Sequence, residues 1–368
     1  MKKRVVIIGN SLSGNALALL LLSDGHEVYL FGPETNGLRG SIGEHLPPEA
    51  LPLLQRLGIE ILLEDPAHLR SPGLVSWWFG TCSTKDYAFS AGGDGYNLDR
   101  RVFDACLRAE ADKAGLRRFV GVTLPKVHRS AGGWCFRPSP PLSDAAVEAD
   151  VVVDASGRQA VFSRRMGAQR HFQDNLIAIV GRYSGPDHGD ARLIVETSVN
   201  GWWYALRQTH GRRVAVYVTD AKQANSAIRE NLWRREHSAA QHLHTFGIPN
   251  DADVTAWDAR SMVLVPQAGP GWFAVGDAAM AFDPLSAAGI TKALSDACAV
   301  SALISNDGPS EREAIERLLT ERRKRWRGYL LGIRENFGNP PPAAGSWWFE
   351  RSIWAAGAAS ADPSGLGD

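Results

Sequence analysis

The stretch from Gly271 to Lys292, GWFAVGDAAMAFDPLSAAGITK, has the pattern of a strand, a turn and a helix start. It begins as an apolar strand that ends at Asp277, turns at Pro284, and continues into the small residues typical of the start of a helix. The Asp277 carboxylate can accept hydrogen bonds from hydroxyl groups, and the backbone N–H groups of Gly289 and Ile290 would favour an anion. This order predicts a site for a polyhydroxylated, electron-accepting ligand.

The start of the chain predicts a second nucleotide-binding element. Residues 4–8 form a continuous apolar strand, residues 9–14 form a glycine-containing turn, and residues 15–22 are rich in strong helix formers. Residues 26–31 then read as another strand, which completes a βαβ opening. The chain therefore begins with the arrangement that binds the pyrophosphate of a dinucleotide at a helix start.

The turn of this βαβ element departs from the usual fingerprint. It reads GNSLSG, so Gly9 and Gly14 are in place while Ser11 occupies the position of the middle glycine of GxGxxG. Ser13 adds a second hydroxyl, and these four residues are the candidate pyrophosphate contacts. At the end of the second strand, Gly32 occupies the position of the acidic residue that usually binds the ribose. The two departures predict weakened binding of an adenylate group.

Four segments together resemble the 4-hydroxybenzoate-hydroxylase superfamily, which includes the flavin-dependent halogenases. They are GEHLPP at 43–48, LDRRVFD at 98–104, DASGR at 154–158 and GDAAMAFDPLSAAGI at 276–290. The resemblance implies that the cofactor is FAD. It further implies that Asp277 binds the ribityl chain, and that Pro284, Gly289 and Ile290 line the isoalloxazine ring.

The same resemblance implies roles for residues earlier in the chain. Arg100 corresponds to an arginine that contacts the FAD pyrophosphate, while Arg39 and Glu44 lie in the segment that runs along the flavin. His45 is a candidate acid or base beside the ring because histidine titrates near neutral pH; the alternative is a structural histidine. Halogenases of this superfamily use a lysine, and the sequence around Lys85 does not match its context.

The fold class that follows is α/β, with a Rossmann-like FAD-binding domain of the glutathione-reductase type interleaved with an antiparallel-sheet substrate domain and C-terminal helices. The FAD-binding domain is assigned to residues 1–70, 95–165 and 260–305. The substrate domain is assigned to residues 71–94 and 166–259, where strands of period two alternate with turns. Residues 306–354 form the helical region, and residues 355–368 are expected to be a flexible tail.

Aromatic residues in the predicted substrate domain indicate the kind of substrate. Trp202 and Tyr204 alternate along one strand, so they face one side of the sheet while Trp203 faces the other. Trp77 lies in a second strand-like segment that the resemblance places near the substrate. Trp77, Trp202 and Tyr204 are therefore the candidate pocket residues, and an aromatic-lined pocket favours a flat apolar substrate such as an indole or a phenol.

The wording of the motifs resembles the flavoproteins that modify tryptophan inside peptides, including those that mature quinone cofactors and those of ribosomal-peptide pathways. The function that this implies is hydroxylation of an aromatic substrate, above all the indole of a tryptophan in a peptide or protein precursor, or a small aromatic molecule. The reaction would use FAD, O2 and a flavin C4a-hydroperoxide. Electrons would come from NAD(P)H or from reduced flavin supplied by a flavin reductase. The alternatives are a tryptophan halogenase and a non-catalytic peptide-binding maturation protein with a degenerate FAD site.

Composition excludes several other classes of function. Lysine plus arginine number 40 and aspartate plus glutamate also number 40, so no net charge attracts the chain to nucleic acid or to an anionic membrane. The four cysteines lack the spacing of metal ligands or of a CxxC motif, so no metal site is predicted. No secretory signal and no run of about 20 apolar residues is present, which favours a cytoplasmic protein without a membrane span.

Overall fold

The protein is described from a computed structural model. The structure describes residues 1–34, 42, 44–90, 92–122, 124–130, 132–137, 146–224, 229–246, 251–306 and 310–360. Among these residues, every helix is too short or too polar to cross a bilayer.

The strands, in chain order, are β1 Arg4–Ile8, β2 Glu27–Gly32, β3 His45–Leu46, β4 Leu69–Ser71, β5 Gly73–Trp78, β6 Thr81–Asp86, β7 Gly95–Asn97, β8 Arg117–Val120, β9 Lys126–Ser130, β10 Gly133–Arg137, β11 Val147–Ala149, β12 Val151–Asp154, β13 Gln169–Phe172, β14 Leu176–Ser184, β15 Leu193–Ser198, β16 Gly201–Arg207, β17 Arg212–Asp220, β18 Asp253–Asp258, β19 Met262–Val265, β20 Ala268–Gly269, β21 Trp272–Ala274 and β22 Met280–Ala281. The α-helices are α1 Leu12–Ser23, α2 Leu51–Leu57, α3 Arg100–Lys113, α4 Val161–Arg165, α5 Arg229–Ala239, α6 Gly289–Ser305, α7 Glu311–Phe337 and α8 Ser346–Ser360.

The first sheet has the order β20-β21-β12-β1-β2-β8 and is parallel except at its β20–β21 edge. Residues 5–8 of β1 are fully buried, as expected for a central strand covered on both faces. Helices α1, α3 and α6 cover one face through an apolar cluster, and the small β9-β10-β11 sheet covers the other through Trp134 and Phe136. This layering is the predicted Rossmann-like domain.

The second sheet has the order β18-β14-β17-β16-β15-β5-β6. It is antiparallel except where β15 pairs with β5. The predicted alternation holds, because Trp202 and Tyr204 belong to one apolar cluster and Trp203 belongs to another. The cluster with Trp202 is completed by α7 and α8, and the cluster with Trp203 includes Trp233 of α5. The two faces of this sheet therefore have different partners.

The C-terminal helices cover the second sheet. Helix α7 begins with a capping box between Ser310 and Glu313, and α8 carries Trp348, whose indole N–H donates to the Ser198 carbonyl at 2.7 Å. Helix α8 continues to Ser360, so it includes the first six residues of the predicted flexible tail. That part of the prediction is wrong. The segment is rich in alanine, the best helix former, and Ala355 is fully buried.

Candidate active-site cleft

A cavity of about 590 Å³ lies at the carboxyl edge of the parallel sheet, between that sheet and the Trp202 face of the second sheet. Ligands of open α/β sheets bind at this edge, because the loops that follow the strands meet there. The cavity is lined by these predicted site residues: Ser11, Ser13, Glu44, His45, Arg100, Trp202, Tyr204, Asp277, Pro284, Gly289 and Ile290. The fold thus brings together positions that are up to 279 residues apart, since both Ser11 and Ile290 line it.

Gly9 and Gly14 shape the first turn and do not line the cavity. Gly9 has φ +123°, and a Cβ at this position would overlap the Ala155 carbonyl oxygen. Ser11 caps α1, because its hydroxyl accepts from the Gly14 N–H at 3.2 Å, and it lies 3.1 Å from the Ser13 hydroxyl. The turn therefore presents two serine hydroxyls where the fingerprint has a glycine backbone.

The end of β2 shows why an acidic residue is missing there. A Cβ on Gly32 would lie 2.7 Å from both Cβ and the backbone nitrogen of Asn10, so a larger residue has no room. Arg118 of β8 donates to Asn10 Oδ1 at 2.7 Å and to Asn15 Oδ1 at 2.9 Å. Asn10 and Asn15 also line the cavity. An arginine–asparagine network thus occupies the region where a carboxylate normally binds ribose.

The carboxylate of Asp277 lies between two cations. Lys292 donates to Asp277 Oδ1 at 2.8 Å, and Arg158 Nε lies 3.7 Å from Asp277 Oδ2. Burial opposes the ionisation of Asp277, but Lys292 and Arg158 outweigh burial and lower its pKa. The side chain keeps 42% of its surface exposed. Asp277 is therefore an ionised acceptor that can bind hydroxyl groups in the cavity.

The glycine before Asp277 is fixed from two sides. Gly276 has φ +61°, and a Cβ there would lie 2.7 Å from the Ser13 hydroxyl. Its N–H donates to Asp296 Oδ2 at 3.0 Å. Asp296 is fully buried and also binds Arg325 at 2.7 Å. Helices α6 and α7 thus anchor the turn that presents Asp277.

Helix α6 begins at the cavity without a side-chain cap. Its N-cap residue is Ala288, which follows Ala287 in the left-handed conformation with φ +46°. The first-turn residues Gly289 and Ile290 line the cavity, and nothing lies within 4 Å of the position of a Cβ on Gly289. The positive end of a helix dipole therefore faces open space, where it favours negative charge on a ligand.

The loop before Pro284 is held by the C-terminal helices. The Asp283 carboxylate is fully buried and accepts from Arg351 Nη2 of α8 at 2.9 Å. The Asp283 N–H donates to the Tyr329 hydroxyl of α7 at 3.0 Å. Burial raises the pKa of Asp283 to about 6, although Arg351 counteracts the shift. The conformation of the cavity loop thus depends on residues more than 40 positions further along the chain.

Arg100 and Glu44 both line the cavity and both have charged partners. Arg100 pairs with Asp104 at 3.1 Å, one turn along α3, and donates to the Ile42 carbonyl. Glu44 is buried and pairs with Arg182 at 3.2 Å. Their predicted contacts with a flavin remain predictions, and Arg39 lies outside the described residues.

His45 is fully engaged by neighbouring side chains. Its Nδ1 lies 2.9 Å from Asn97 Oδ1, and its Nε2 lies 2.9 Å from the Tyr87 hydroxyl. Asn97 Nδ2 donates to the Ala191 carbonyl, which leaves Asn97 Oδ1 as the acceptor for His45 Nδ1–H. Burial lowers the pKa of His45. These contacts favour the structural alternative; the catalytic role stays an untested prediction.

The aromatic end of the cavity contains Trp202 and Tyr204, whose rings lie 6.0 Å apart. Trp77 is not part of it, so its predicted place in the pocket is wrong. Trp77 lies opposite Glu196 in the β5–β15 pairing, on the Trp203 side of the sheet, and stacks on His242 at 4.1 Å. The sequence could not have revealed this, because the face is set by the register between distant strands.

Sequence reasoning missed Asn10, Asn15, Arg118, Arg158 and Lys292. Lys292 lies one helical turn after Gly289, but the carboxylate that it binds, Asp277, lies before the helix. Arg118 reaches the cavity-lining residues Asn10 and Asn15 because β8 pairs with β2 in the sheet. Long-range pairing of this kind has no local signature. Among the described residues, no group of three or more His, Cys, Asp or Glu side chains could hold a metal ion.

Comparison with known proteins places this fold. No protein-family model matches the chain. Over 360 residues the chain is 26% identical to LodB of Marinomonas mediterranea, named as an FAD-dependent oxidoreductase, with 90% of this chain and 96% of LodB covered. The solved structure of the FAD-dependent chondrochloren halogenase CndH, from a myxobacterium, matches with a TM-score of 0.85 at 18% identity, covering 99% of this chain and 92% of that chain. The peptidyl tryptophan dihydroxylase QhpG matches with a TM-score of 0.74 at 23% identity, covering 95% and 79%.

The protein therefore has the fold of the flavin-dependent halogenases and monooxygenases, and both LodB and CndH are named as FAD-dependent enzymes. This confirms the predicted fold class and superfamily resemblance. The cleft fits FAD in three respects: an ionised hydroxyl acceptor at Asp277, an uncapped helix start at Gly289, and a serine turn backed by Gly9. It departs from the usual pattern at Gly32.

Proposed function

We propose that the protein is a flavin-dependent monooxygenase that hydroxylates the indole of a tryptophan in a peptide or protein precursor. One observation carries this proposal. The cleft that contains Asp277 and the start of α6 continues without interruption to an aromatic wall at Trp202 and Tyr204. A cofactor and an aromatic ring can therefore occupy neighbouring parts of the same cavity. The likeness to QhpG supports a peptidyl tryptophan as the substrate.

Bound and reduced, FAD supplies the activation of O2, and the protein supplies position and charge. Asp277 would accept hydrogen bonds from ribityl hydroxyls, and it keeps its charge because Lys292 and Arg158 lower its pKa. The start of α6 at Gly289 would stabilise negative charge on a bound flavin. NAD(P)H, or reduced flavin from a separate reductase, supplies the electrons in this proposal.

The aromatic wall positions the substrate. Trp202 is 1% exposed and Tyr204 is 8% exposed, so the two rings form the packed back of the cavity and show it only a small apolar surface. The Trp202 Nε1 has no hydrogen-bond partner among the described residues. An indole ring placed against this wall would be shielded from water, which is the environment that an oxygen-transfer reaction needs. An indole is electron-rich enough to react without a strong base. The proposed reaction therefore does not need His45 to act as a base.

A halogenase is the second candidate, favoured by the likeness to CndH. The superfamily resemblance implies that halogenases need a lysine in the active site. None of the described residues that line the main cavity is a lysine. Lys85 pairs with Glu49 at 2.9 Å on the surface, and the buried Lys292 binds Asp277 and the Met280 carbonyl. The geometry therefore favours oxygenation.

The test is an oxygenation assay on the FAD-saturated protein with chemically or enzymatically reduced flavin and labelled dioxygen. Tryptophan-containing peptides are compared with matched peptides that carry phenylalanine, each with and without chloride or bromide. The proposal predicts a gain of labelled oxygen on the tryptophan peptides alone, independent of halide. A halogenated product would establish the second candidate. Absence of any product from a flavin-loaded protein across the tryptophan peptides would refute the proposed substrate.

The assay needs a control for flavin that reacts free in solution. Trp202→Phe replaces an indole of the aromatic wall with a smaller ring, and Trp203→Phe makes the same change on the opposite face of the same strand. Product formed in the cavity should respond to the first substitution and not to the second. Equal responses would indicate oxidation outside the cavity.

A further inference from the structure

A second, smaller cavity of about 240 Å³ adjoins the main cleft and is polar. It lies where β14 ends, β17 begins and α3 begins. Five arginines line this arginine pocket: Arg100, Arg101, Arg182, Arg212 and Arg213. Glu44, Arg100 and Arg101 line both cavities, so the two cavities share a wall.

Three of the arginines already have carboxylate partners. Arg100 pairs with Asp104, Arg182 with Glu44, and Arg212 with Asp99. Guanidinium groups paired in this way are largely neutralised. The unbalanced charge of the pocket therefore rests on Arg101 and Arg213.

Arg213 is a buried cation that has no carboxylate within ion-pair distance among the described residues, although Asp187 acts on it from further away. It is 2% exposed, its Nη atoms donate to the backbone carbonyls of Arg212 and Pro186, and its Nε has no partner among the described residues. Burial and the nearby Arg207 both lower the pKa of Arg213. Burying an uncompensated charge is costly, and an anion bound in the pocket would offset that cost.

Arg101 supplies a second cation at the mouth of the pocket. It is exposed, and no carboxylate lies within ion-pair distance of it in the part of the chain that the structure describes. Asp251 also stands at the mouth, where it is exposed and accepts from the Ser184 N–H at 3.3 Å. The two guanidinium groups without a carboxylate partner outnumber the single Asp251 carboxylate, so the pocket keeps an excess positive charge. A phosphate monoester, with a charge of about −2 near neutral pH, can accept hydrogen bonds from both guanidinium groups.

We propose that the arginine pocket binds a phosphate group, as a phosphate monoester dianion or inorganic phosphate. Since the pocket shares three lining residues with the main cleft, one source is the 2′-phosphate of a nicotinamide dinucleotide that delivers electrons there. The other source is free phosphate. The proposal does not depend on which aromatic substrate is oxidised, because phosphate binding is measured directly.

The experiment is calorimetric titration of the full-length, FAD-saturated protein with inorganic phosphate, adenosine 2′,5′-bisphosphate and 5′-AMP. Saturation with FAD occupies the other phosphate-binding region of the cleft. The variants are Arg101→Gln and Arg213→Gln, and the matched control is Arg312→Gln, which alters an exposed surface pair on α7. Arg213 lines only the arginine pocket and thus assigns the site; Arg101 is exposed, so its variant tests the proposal even if Arg213→Gln does not fold.

Each pocket substitution should weaken phosphate binding about tenfold or more, equivalent to about 1.4 kcal/mol, while the control leaves it unchanged. Much tighter binding of the bisphosphate than of 5′-AMP or inorganic phosphate identifies a nucleotide 2′-phosphate. Similar affinity for inorganic phosphate identifies free phosphate. The proposal is overturned if the wild-type protein binds none of the probes, or if Arg101→Gln binds them as the wild type does.

Discussion

Asp283, Asp174 and Arg351 form a buried cluster in which two carboxylates share one guanidinium group. Arg351 lies 2.9 Å from Asp283 and 3.4 Å from Asp174, and the three side chains are at most 6% exposed. With all groups charged, the cluster carries one excess negative charge. Arg260 acts on Asp174 from further away and is itself paired with Asp258. We therefore predict that Asp283→Asn does not destabilise the protein at neutral pH, whereas Arg351→Gln does so strongly.

The magnitude follows from the pKa of Asp283. Burial raises it from 3.8 to about 6, against the attraction of Arg351. Because the folded state holds this proton more tightly, ionisation of Asp283 costs folding about 3 kcal/mol at neutral pH. Stability from this group is therefore gained as the pH falls through the folded pKa near 6. The amide introduced by Asp283→Asn would mimic the protonated form, while loss of Arg351 leaves two buried carboxylates unpaired and costs about 3–5 kcal/mol.

The assay is urea unfolding of the cofactor-free protein at several pH values between about 5 and 8, with tryptophan fluorescence as the signal. Asp283→Asn should be as stable as the wild type or more stable at pH 7 and above, and its advantage should shrink as the pH falls toward 5. The reasoning is refuted if Asp283→Asn loses as much stability as Arg351→Gln at neutral pH. A difference from the wild type that does not change with pH would refute it too.

Three further predictions concern the cleft. Gly32→Glu should lower the melting temperature without tightening FAD binding, because the new Cβ would lie 2.7 Å from Asn10. Tighter binding of FAD in a titration would contradict this prediction. Trp202→Phe should weaken binding of an aromatic ligand several-fold while Trp203→Phe changes only thermal stability, as judged by ligand titration and melting curves. His45→Gln should keep more than about a tenth of the activity, whereas loss of a general base would lower activity about a hundredfold or more. The same substitution should lower the free energy of unfolding by about 1–3 kcal/mol, because the buried hydrogen bonds of His45 are lost.

Much of the fold could be predicted because its signals are local. The apolar run of β1, the glycines of the first turn and the strand–turn–helix order around Asp277 each lie within a short stretch of sequence. The alternation of Trp202, Trp203 and Tyr204 correctly separated the two faces of β16. Local periodicity determines which side chains share a face, and this information survives in a single sequence.

The parts that could not be predicted depend on register and on distant segments. The face of Trp77 is set by the pairing of β5 with β15, and Arg118 reaches Asn10 and Asn15 because β8 lies beside β2. The partner of Asp283 is on the last helix, 68 residues away. The arginine pocket likewise joins the start of α3 to the ends of β14 and β17. None of these contacts has a motif, since each depends on how the sheets close.

The most direct test of the central claim is a titration of the purified protein with FAD, followed by the visible spectrum, for the wild type and for Asp277→Ala. If the cleft is a flavin site, the wild type perturbs the flavin spectrum saturably, and the variant binds FAD at least about tenfold more weakly because it loses a charged hydrogen-bond acceptor. Lys292→Met serves as a comparison that keeps the carboxylate but removes its buried partner. A wild-type protein that leaves the FAD spectrum unchanged at saturating concentration would contradict the account, as would an Asp277→Ala variant that binds FAD as tightly as the wild type.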